Sequence, residues 1–593
     1  MDKMTSGKLV GRFLSGTALA RVLALFGFVA WACVALAWWF RVPIGVSNGD
    51  EAFYSAMPYS FLLGSRAYLD ELSFQQNAAL LQLPFFRVYV WLRGSADGII
   101  VFNRWLYVLY LLFCSTLTYR FASRVTTRMV AAWAAALVMP VAYFNLPALG
   151  YNTLGALGFF AGVLLSALST FDARPGPRLF VAGLFFLSAV FDYPTLAPAV
   201  LTQAAAVGFH FSKEPRASFR SALRGLLIIA LLALVLGAVF VGYATPAGLR
   251  RALEFSRADG HASGLRAAKF FALSKDTRNQ LAREGLFALL FVTLPWLLAR
   301  LRSAVFVLIV VLPALLALIN GHFDYGAPIN SQAIFLTSLA PLAPASMLVL
   351  AGIPHRRRLL SLVWLPGIVS TIAPAVTSLN GWSAAHLMAL PLLTAGVIGV
   401  GLLGEKLALR DHAPLRYQAP VAAFFAAMLV LEVRSNFDNV YDDDTAELAA
   451  HDTRVRWGPF QGVLATPFRA QQLEQMDRDL KQLASDDKTL AVFDNMSGAY
   501  LSTRMRPRSM THWITWMYTP AYRNTILRKA YGTPEQLPDF VLIANGGLRA
   551  RHPWAPFRKN YRPVIDRPEL KYRIDQILPK ARGQALPDAQ PTP

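Results

Sequence analysis

Cysteine is nearly missing from this chain of 593 residues: there are two, Cys33 and Cys114, and both fall inside apolar runs. That excludes a disulfide framework and a thiolate metal site. Charge is scarce as well, at 16% of residues against 55% hydrophobic, and the mean hydropathy is +0.40. A soluble chain of this length needs more charge to cover its surface, and here apolar runs of about twenty residues recur. The chain therefore reads as a membrane protein. Acids are the scarcer sign, 35 Asp and Glu against 57 Lys and Arg. The excess base sits in short loops and in the C-terminal region, not along one soluble face, so lipid headgroups and a phosphorylated substrate fit better than nucleic acid. No repeat of fixed period is visible, and no glycine-rich phosphate loop follows Thr489–Phe493, so Asp494-Asn495-Met496-Ser497-Gly498 reads as a strand–turn–helix junction and not as a nucleotide site.

What is present is a series of apolar windows, about thirteen of them at membrane-spanning length. They lie near 20–41, 99–119, 129–146, 152–171, 179–192, 195–211, 225–244, 285–299, 303–319, 333–352, 359–378, 385–404 and 418–433. The first follows Lys3, Lys8 and Arg12 but runs too long for a signal peptide and has no small-residue cleavage site, so it is read as a retained span. Alternate loops carry arginine and lysine: Arg120, Arg124 and Arg128; Arg174 and Arg178; Lys213, Arg216, Arg220 and Arg224; Arg356, Arg357 and Arg358. The short loops between them (145–151, 193–194, 320–332, 379–384) carry none. The positive-inside bias then predicts a cytoplasmic N-terminus and an outer C-terminal region. The predicted architecture is a polytopic α-helical module over 1–433, with outer loops at 42–98 and 245–284. A C-terminal outer-side α/β domain covers 434–578, and a Pro-rich disordered tail covers 579–593. Thr489–Phe493 and Phe540–Ala544 read as buried strands, and an amphipathic helix opens at Gln471.

The first outer loop reads Ser47-Asn48-Gly49-Asp50-Glu51-Ala52-Phe53-Tyr54-Ser55. Segments 51–64 and 74–93 are rich in Phe, Tyr, Leu and Trp with scattered polar residues, a composition suited to helices lying half in lipid at the interface. A carboxylate pair under such a roof is placed to deprotonate an acceptor hydroxyl beside a lipid-anchored donor. The alternative is that Asp50 and Glu51 merely start a helix, where acids are favoured.

Asp50-Glu51, Leu83-Pro84-Phe85-Phe86, Gly94 and Arg104 together resemble the GT-C superfamily of polyprenyl-phosphate-sugar glycosyltransferases, in the lipid A aminoarabinose transferase and protein mannosyltransferase branch. The motif likeness covers about residues 20–175; beyond that the likeness is one of topology. The resemblance implies Asp50 as the catalytic base with Glu51 beside it, and a polyprenyl-phosphate-linked donor. It implies an acceptor (lipid A, a glycan or a protein) on the outer side of a bacterial inner membrane, and a monomer. Ala52-Phe53-Tyr54-Ser55 and Gly150-Tyr151-Asn152-Thr153 depart from the branch's usual sequences and leave the sugar open: a pentose such as arabinose or aminoarabinose, or mannose.

Further outer-face residues join the expected site. Tyr54, Asp192, Tyr193, His322 and Asp324 are substrate-pocket candidates, since ionisable groups at membrane depth are costly and usually paired or functional; helix capping in water is the other reading. Asp50, Asp192 and Asp324 are the expected ligands if a divalent cation is used, although no local ligand cluster marks a metal site. A departing phosphate needs cations, for which Arg104, Arg250, Arg251, Arg257 and Lys269 are expected. Two other readings compete. An O-antigen polymerase or ligase typically elaborates a late outer loop, whereas the first is elaborated here. A lipid or polysaccharide transporter should show inverted repeats and charge in mid-span.

Overall fold

The computed structural model describes residues 4–47, 49–142, 147–258, 355–377, 388–410, 414–437, 440 and most of 447–578. The chain starts with α1 (Met4–Arg41), followed by α2 (Asp50–Leu62) and α3 (Gln76–Arg93) in the first loop. The apolar stack continues with α4 (Ile99–Val125), α5 (Arg128–Val138), α6 (Tyr151–Ser169), α7 (Gly176–Asp192), α8 (Ala197–Phe211) and α9 (Arg216–Ala244). Next come α10 (Pro246–Ala258), α11 (Leu365–Thr377), α12 (Leu390–Arg410) and α13 (Pro414–Phe437).

Six of the described helices are long and apolar enough to cross a membrane: α1 over Ala18–Arg41, α4, α6, α9, α12 over Leu390–Leu409, and α13 over Tyr417–Arg434. The chain is thus a multi-pass membrane protein, with six spans countable where about thirteen were predicted. The predicted spans at 285–299, 303–319 and 333–352 lie outside the described residues. The span predicted over 129–146 is an 11-residue helix, about 16 Å long, because Pro140 follows its end. Pro194 separates α7 from α8 through a 3₁₀ turn, Pro194–Leu196. The helix predicted over 359–378 starts at Arg356 and passes through a π turn, Leu360–Trp364, before α11. Trp39 and Phe40 on α1 and Leu234 on α9 are exposed, as lipid-facing side chains should be.

The C-terminal region starts with a small hairpin, β1 (Thr453–Arg454) and β2 (Leu464–Ala465), then α14 (Pro467–Leu483). α14 starts four residues before the sequence-predicted opening at Gln471, because the Thr466 side chain accepts from the Arg469 N–H and caps the helix there. The remaining strands are β3 (Thr489–Phe493), β4 (Arg506–Pro507), β5 (Phe540–Ala544), β6 (Tyr561–Arg567) and β7 (Tyr572–Ile577), arranged β4-β3-β5-β7-β6. The pairs of β3 with β4 and β5 are parallel; β7 runs antiparallel to β5 and β6. Alternate residues of β3 and β5, Leu490 and Val492 with Phe540 and Leu542, pack under Leu473, Met476 and Leu480 of α14.

Asp479 of α14 locks this layer. It accepts from Arg567 (Nε to Oδ2, 3.0 Å; Nη2 to Oδ1, 3.2 Å), from the Tyr572 hydroxyl at 2.7 Å and from Gln475 Nε2 at 2.7 Å. Burial pushes this carboxyl up, but the bonds from Arg567, Tyr572 and Gln475 outweigh it and hold the group below the usual carboxylate range. A depressed folded-state pKa contributes stability that is complete above the unfolded value, near pH 4, and that fades as pH falls through the folded value. Asp479→Asn is therefore expected to lower the unfolding temperature at pH 7. The gap to wild type should narrow on acidification below about pH 4; a gap that stays constant down to pH 2 would contradict this assignment.

The sheet region does not stand apart from the loop beneath it. Val46, Ala52, Ala56, Ile99 and Ile100 share one hydrophobic cluster with Phe460, Val463, Leu473, Tyr500 and Leu542. Main-chain bonds join the same parts: Gly45 N–H to Leu464 O (2.8 Å), Leu464 N–H to Pro43 O (2.7 Å) and Gly98 N–H to Gly458 O (3.0 Å). This corrects one expectation. Of the two loop helices predicted to lie half in lipid, α2 is buried from Glu51 to Ser60 under the C-terminal region. Only α3 keeps an exposed apolar face, with Phe85, Val88, Trp91 and Leu92.

Candidate active site

α2 starts at Asp50, directly after Gly49, with both acids in its first turn, where the N-terminal dipole favours negative charge. The two carboxylates then part company. Glu51 is fully buried and takes Arg104 in a two-pronged ion pair, Nε to Oε1 at 2.5 Å and Nη2 to Oε2 at 2.7 Å. The other donors of Arg104 go to main-chain carbonyls: Nη1 to Val42 O (2.6 Å) and Ile44 O (3.3 Å), Nη2 to Gly45 O (2.7 Å). A guanidinium has five N–H groups in a fixed fork, and these five bonds use them all. Arg104 is therefore a strut between α4, the end of α1 and the start of α2, with no N–H left for a phosphate. This revises the expected phosphate role of Arg104, and it revises the expected catalytic role of Glu51, whose oxygens are held by the strut.

Asp50, on the adjacent position, is only partly covered and lies within electrostatic reach of the Tyr151 hydroxyl at the start of α6. Around Tyr151 runs a row of aromatic rings. Tyr54 of α2 meets Tyr151 edge-on at 5.7 Å and 78°, and Tyr151 lies parallel to Tyr193 at 6.2 Å and 2°. Two glycines permit this row. A side chain on Gly150 would stand 2.5 Å from the Tyr54 ring, and one on Gly155 2.8 Å from Tyr193 Cβ. Asp192, at the end of α7, is 3% exposed, and its carboxylate lies beside Gly155, whose backbone N–H faces it.

The loop is fastened to these helices by amides that composition alone does not mark. Asn103 Nδ2 donates to Ser55 Oγ (3.2 Å) and to Leu149 O (3.1 Å). Asn77 Nδ2 donates to Phe191 O at 2.6 Å, next to Asp192, and its Oδ1 accepts from the Tyr68 hydroxyl. Asp50, Tyr54, Asp192 and Tyr193, separately picked from the sequence, are thus tied to one region through Tyr151 and Asn77.

Other expected residues fall elsewhere. Arg250 and Arg251 are exposed on α10, where Arg250 pairs with Glu254 at 3.3 Å. α10 packs through Ala252 against Tyr68 of the first loop. Arg257 lies in the same helix, while Lys269, His322 and Asp324 lie outside the described residues. Among the described residues no group of three or more His, Cys, Asp or Glu side chains is placed to hold a metal ion. Of the three expected oxygen ligands, Asp50 and Asp192 are described, and Asp324 lies outside the described residues.

One pair has no precursor in the sequence reading. Glu71, between α2 and α3, accepts from the His512 ring Nδ1 at 2.6 Å and from the His512 backbone N–H at 2.9 Å, while the Ser73 N–H donates to its other oxygen at 2.9 Å. Both side chains are buried, and 441 residues separate them, so no local spacing could show the pair. It latches the C-terminal region onto the first loop. Glu71→Gln is expected to weaken this latch by roughly 1.5–3 kcal/mol per charged hydrogen bond lost. Hydrogen exchange should accelerate in α2 and in the 3₁₀ turn Ser497–Ser502 packed on it; unchanged protection in both would exclude the latch.

No protein-family model matches the chain, and no curated protein matches it. Among solved structures it is similar to the oligosaccharyltransferase of Archaeoglobus fulgidus in complex with Zn and sulfate, with TM-score 0.47 and 11% identity over 88% of this chain and 68% of that one. It is similar also to the oligosaccharyltransferase AglB of the same organism with an inhibitory peptide and a dolichol-phosphate, with TM-score 0.43 and 10% identity over 88% and 69%. Likeness at this level says nothing of chemistry, which has to come from the side chains.

Proposed function

We propose that the chain is an inverting membrane glycosyltransferase that moves a sugar from a polyprenyl-phosphate donor to an acceptor on the outer side of a bacterial inner membrane. The N-terminus is then cytoplasmic and the C-terminal region outside. The observation that carries this reading is the division of labour at the start of α2: Glu51 is spent on the Arg104 strut, which fixes the helix turn that carries the neighbouring Asp50 beside the row of tyrosine rings. In the proposed step Asp50 takes the proton of an acceptor hydroxyl or amine. The freed lone pair forms the new bond to the anomeric carbon, and the bond from that carbon to the phosphate oxygen breaks with its electron pair leaving on the phosphate. Displacement from the opposite face needs no covalent intermediate.

The rings of Tyr54, Tyr151 and Tyr193 are assigned to the sugar ring, which their apolar faces and hydroxyl tips suit, and the Asp192 carboxylate is assigned to accept from a sugar hydroxyl. The leaving phosphate falls to Arg250, Arg251, Arg257 and Lys269 of the second outer loop, since Arg104 has no donor to offer. A pentose such as arabinose or aminoarabinose, or mannose, is the proposed sugar, and lipid A, a glycan or a protein the acceptor.

The test is purified protein in lipid with polyprenyl-phosphate-linked sugars and these acceptors. Transfer with inversion and release of polyprenyl monophosphate is the expected result. Release of polyprenyl diphosphate would instead indicate a polymerase or ligase of lipid-linked glycans. Movement of an intact lipid-linked sugar between leaflets would indicate a transporter, and either outcome overturns the proposal.

A further inference from the structure

A second place in the molecule has the makings of a binding site, at the other end of the helices. α7 and α9 come into backbone contact near their first turns. The Gly176 N–H donates to Ser221 Oγ at 3.1 Å. A side chain on Gly176 would stand 2.6 Å from Ser221 O, one on Gly225 2.7 Å from Gly176 O, and one on Gly183 2.4 Å from Ile229 Cγ1. Small residues let two helices touch in this way. Beside the contact lies a groove of about 850 Å³, walled by Phe180 and Ile228 and rimmed by Arg174, Arg220 and Arg224.

Its position follows from the far ends of the same helices. α7 ends at Asp192, beside the loop amide Asn77, and α9 ends at Ala244, packed on Tyr68 of the first outer loop. The groove is therefore at the membrane face opposite Asp50. Among the described residues no acid neutralises its charge. Arg174, Arg220 and Arg224 are all exposed, and none has an ion pair among the described residues. The nearby acid, Asp172, is engaged by Arg178 at 2.6 Å. Three like charges around one groove repel each other, and an anion between them relieves that repulsion. The walls continue as lipid-facing side chains, Leu227, Leu231 and Leu234 on α9.

We propose that this groove holds the headgroup of an anionic phospholipid of the leaflet opposite the Asp50 site, its phosphate among the three arginines and its acyl chains along Phe180, Ile228 and the aliphatic side of α9. A basic pocket between spans combines a charged rim at headgroup depth with an apolar wall running into the bilayer, which suits an amphiphile better than a soluble anion. The proposal does not depend on the reaction assigned to Asp50.

The test exchanges the purified protein from phosphatidylglycerol-containing micelles into lipid-free detergent and counts retained lipid by native mass spectrometry. A triple variant, Arg174→Gln with Arg220→Gln and Arg224→Gln, is compared with wild type. Each arginine near a headgroup is worth roughly a fivefold change in affinity, so the triple variant should bind phosphatidylglycerol on the order of a hundredfold more weakly. The single variant Arg220→Gln should fall in between, and phosphatidylcholine retention should not change. All three side chains are exposed, and an unchanged elution volume and helical circular dichroism would show the variants folded. Equal phosphatidylglycerol retention in wild type and triple variant overturns the proposal. So does displacement of the lipid by millimolar inorganic phosphate, which would mean that a soluble anion suffices.

Discussion

Asp50→Asn is expected to abolish sugar transfer, slowing turnover by about 10²–10⁴-fold, the range that a positioned general base contributes, while leaving the protein folded. The replacement keeps the shape of the side chain and removes its ability to take a proton. It leaves untouched the groups that position α2, because the Glu51–Arg104 pair, the carbonyls of Val42 and Gly45 and the Asn103 bond to Ser55 do not involve residue 50. Donor affinity should therefore change little while turnover collapses. Asp50→Glu, which retains the base but moves it by one methylene, should recover part of the rate. The acid limb of the pH–rate profile, set in wild type by protonation of the base, should be absent from whatever rate remains in Asp50→Asn. Turnover at the wild-type rate by Asp50→Asn would falsify the mechanism.

Arg104→Ala is expected to act in the opposite manner, on folding and not on donor affinity. Arg104 is 1% exposed, and its removal leaves the Glu51 carboxylate buried without this cation and takes the side-chain donor from the carbonyls of Val42 and Gly45, while Ile44 O keeps its bond from Arg41 Nη1. Breaking a buried pair from one side costs about 3–5 kcal/mol, a large share of the stability of an ordinary domain. Arg104→Lys should recover little, since an ammonium cannot reproduce the planar fork that spans two carboxylate oxygens and the loop carbonyls. Glu51→Gln should be destabilising for the same reason, and the double variant Glu51→Gln with Arg104→Met should cost less than the two singles added together, the sign of a coupled pair. Thermal unfolding in detergent measures these variants together with the Arg104→Met single that the comparison requires. If Arg104→Ala unfolds at the wild-type temperature and only raises the KM for the lipid-linked donor, Arg104 binds phosphate after all.

Both expectations concern neighbouring positions that look equivalent in the sequence. Asp50-Glu51 is an acidic pair at the start of a helix, and nothing in the local pattern says which member is committed elsewhere. That depends on Arg104, which lies 53 positions along and enters from α4. The tyrosine row has the same origin: Tyr54, Tyr151 and Tyr193 come from three helices, and two glycines without any motif let them meet. Glu71 and His512 are further apart still, and the covering of α2 by the C-terminal region could not be read from a segment whose aromatic composition suits a lipid interface equally well.

What the sequence by itself determined is the part governed by local rules. Apolar length and scarce charge mark the spans, proline marks the break after α7, and short continuous apolar runs mark the buried strands β3 and β5, because each is decided by residues within a turn or a strand of one another. It also singled out Asp50, Asp192 and Tyr193 as polar groups at the membrane edge. The tertiary structure decided which of these groups are occupied. The Glu51 carboxylate and the Arg104 guanidinium become a strut because of the partners packed around them, and those partners arrive from distant parts of the chain.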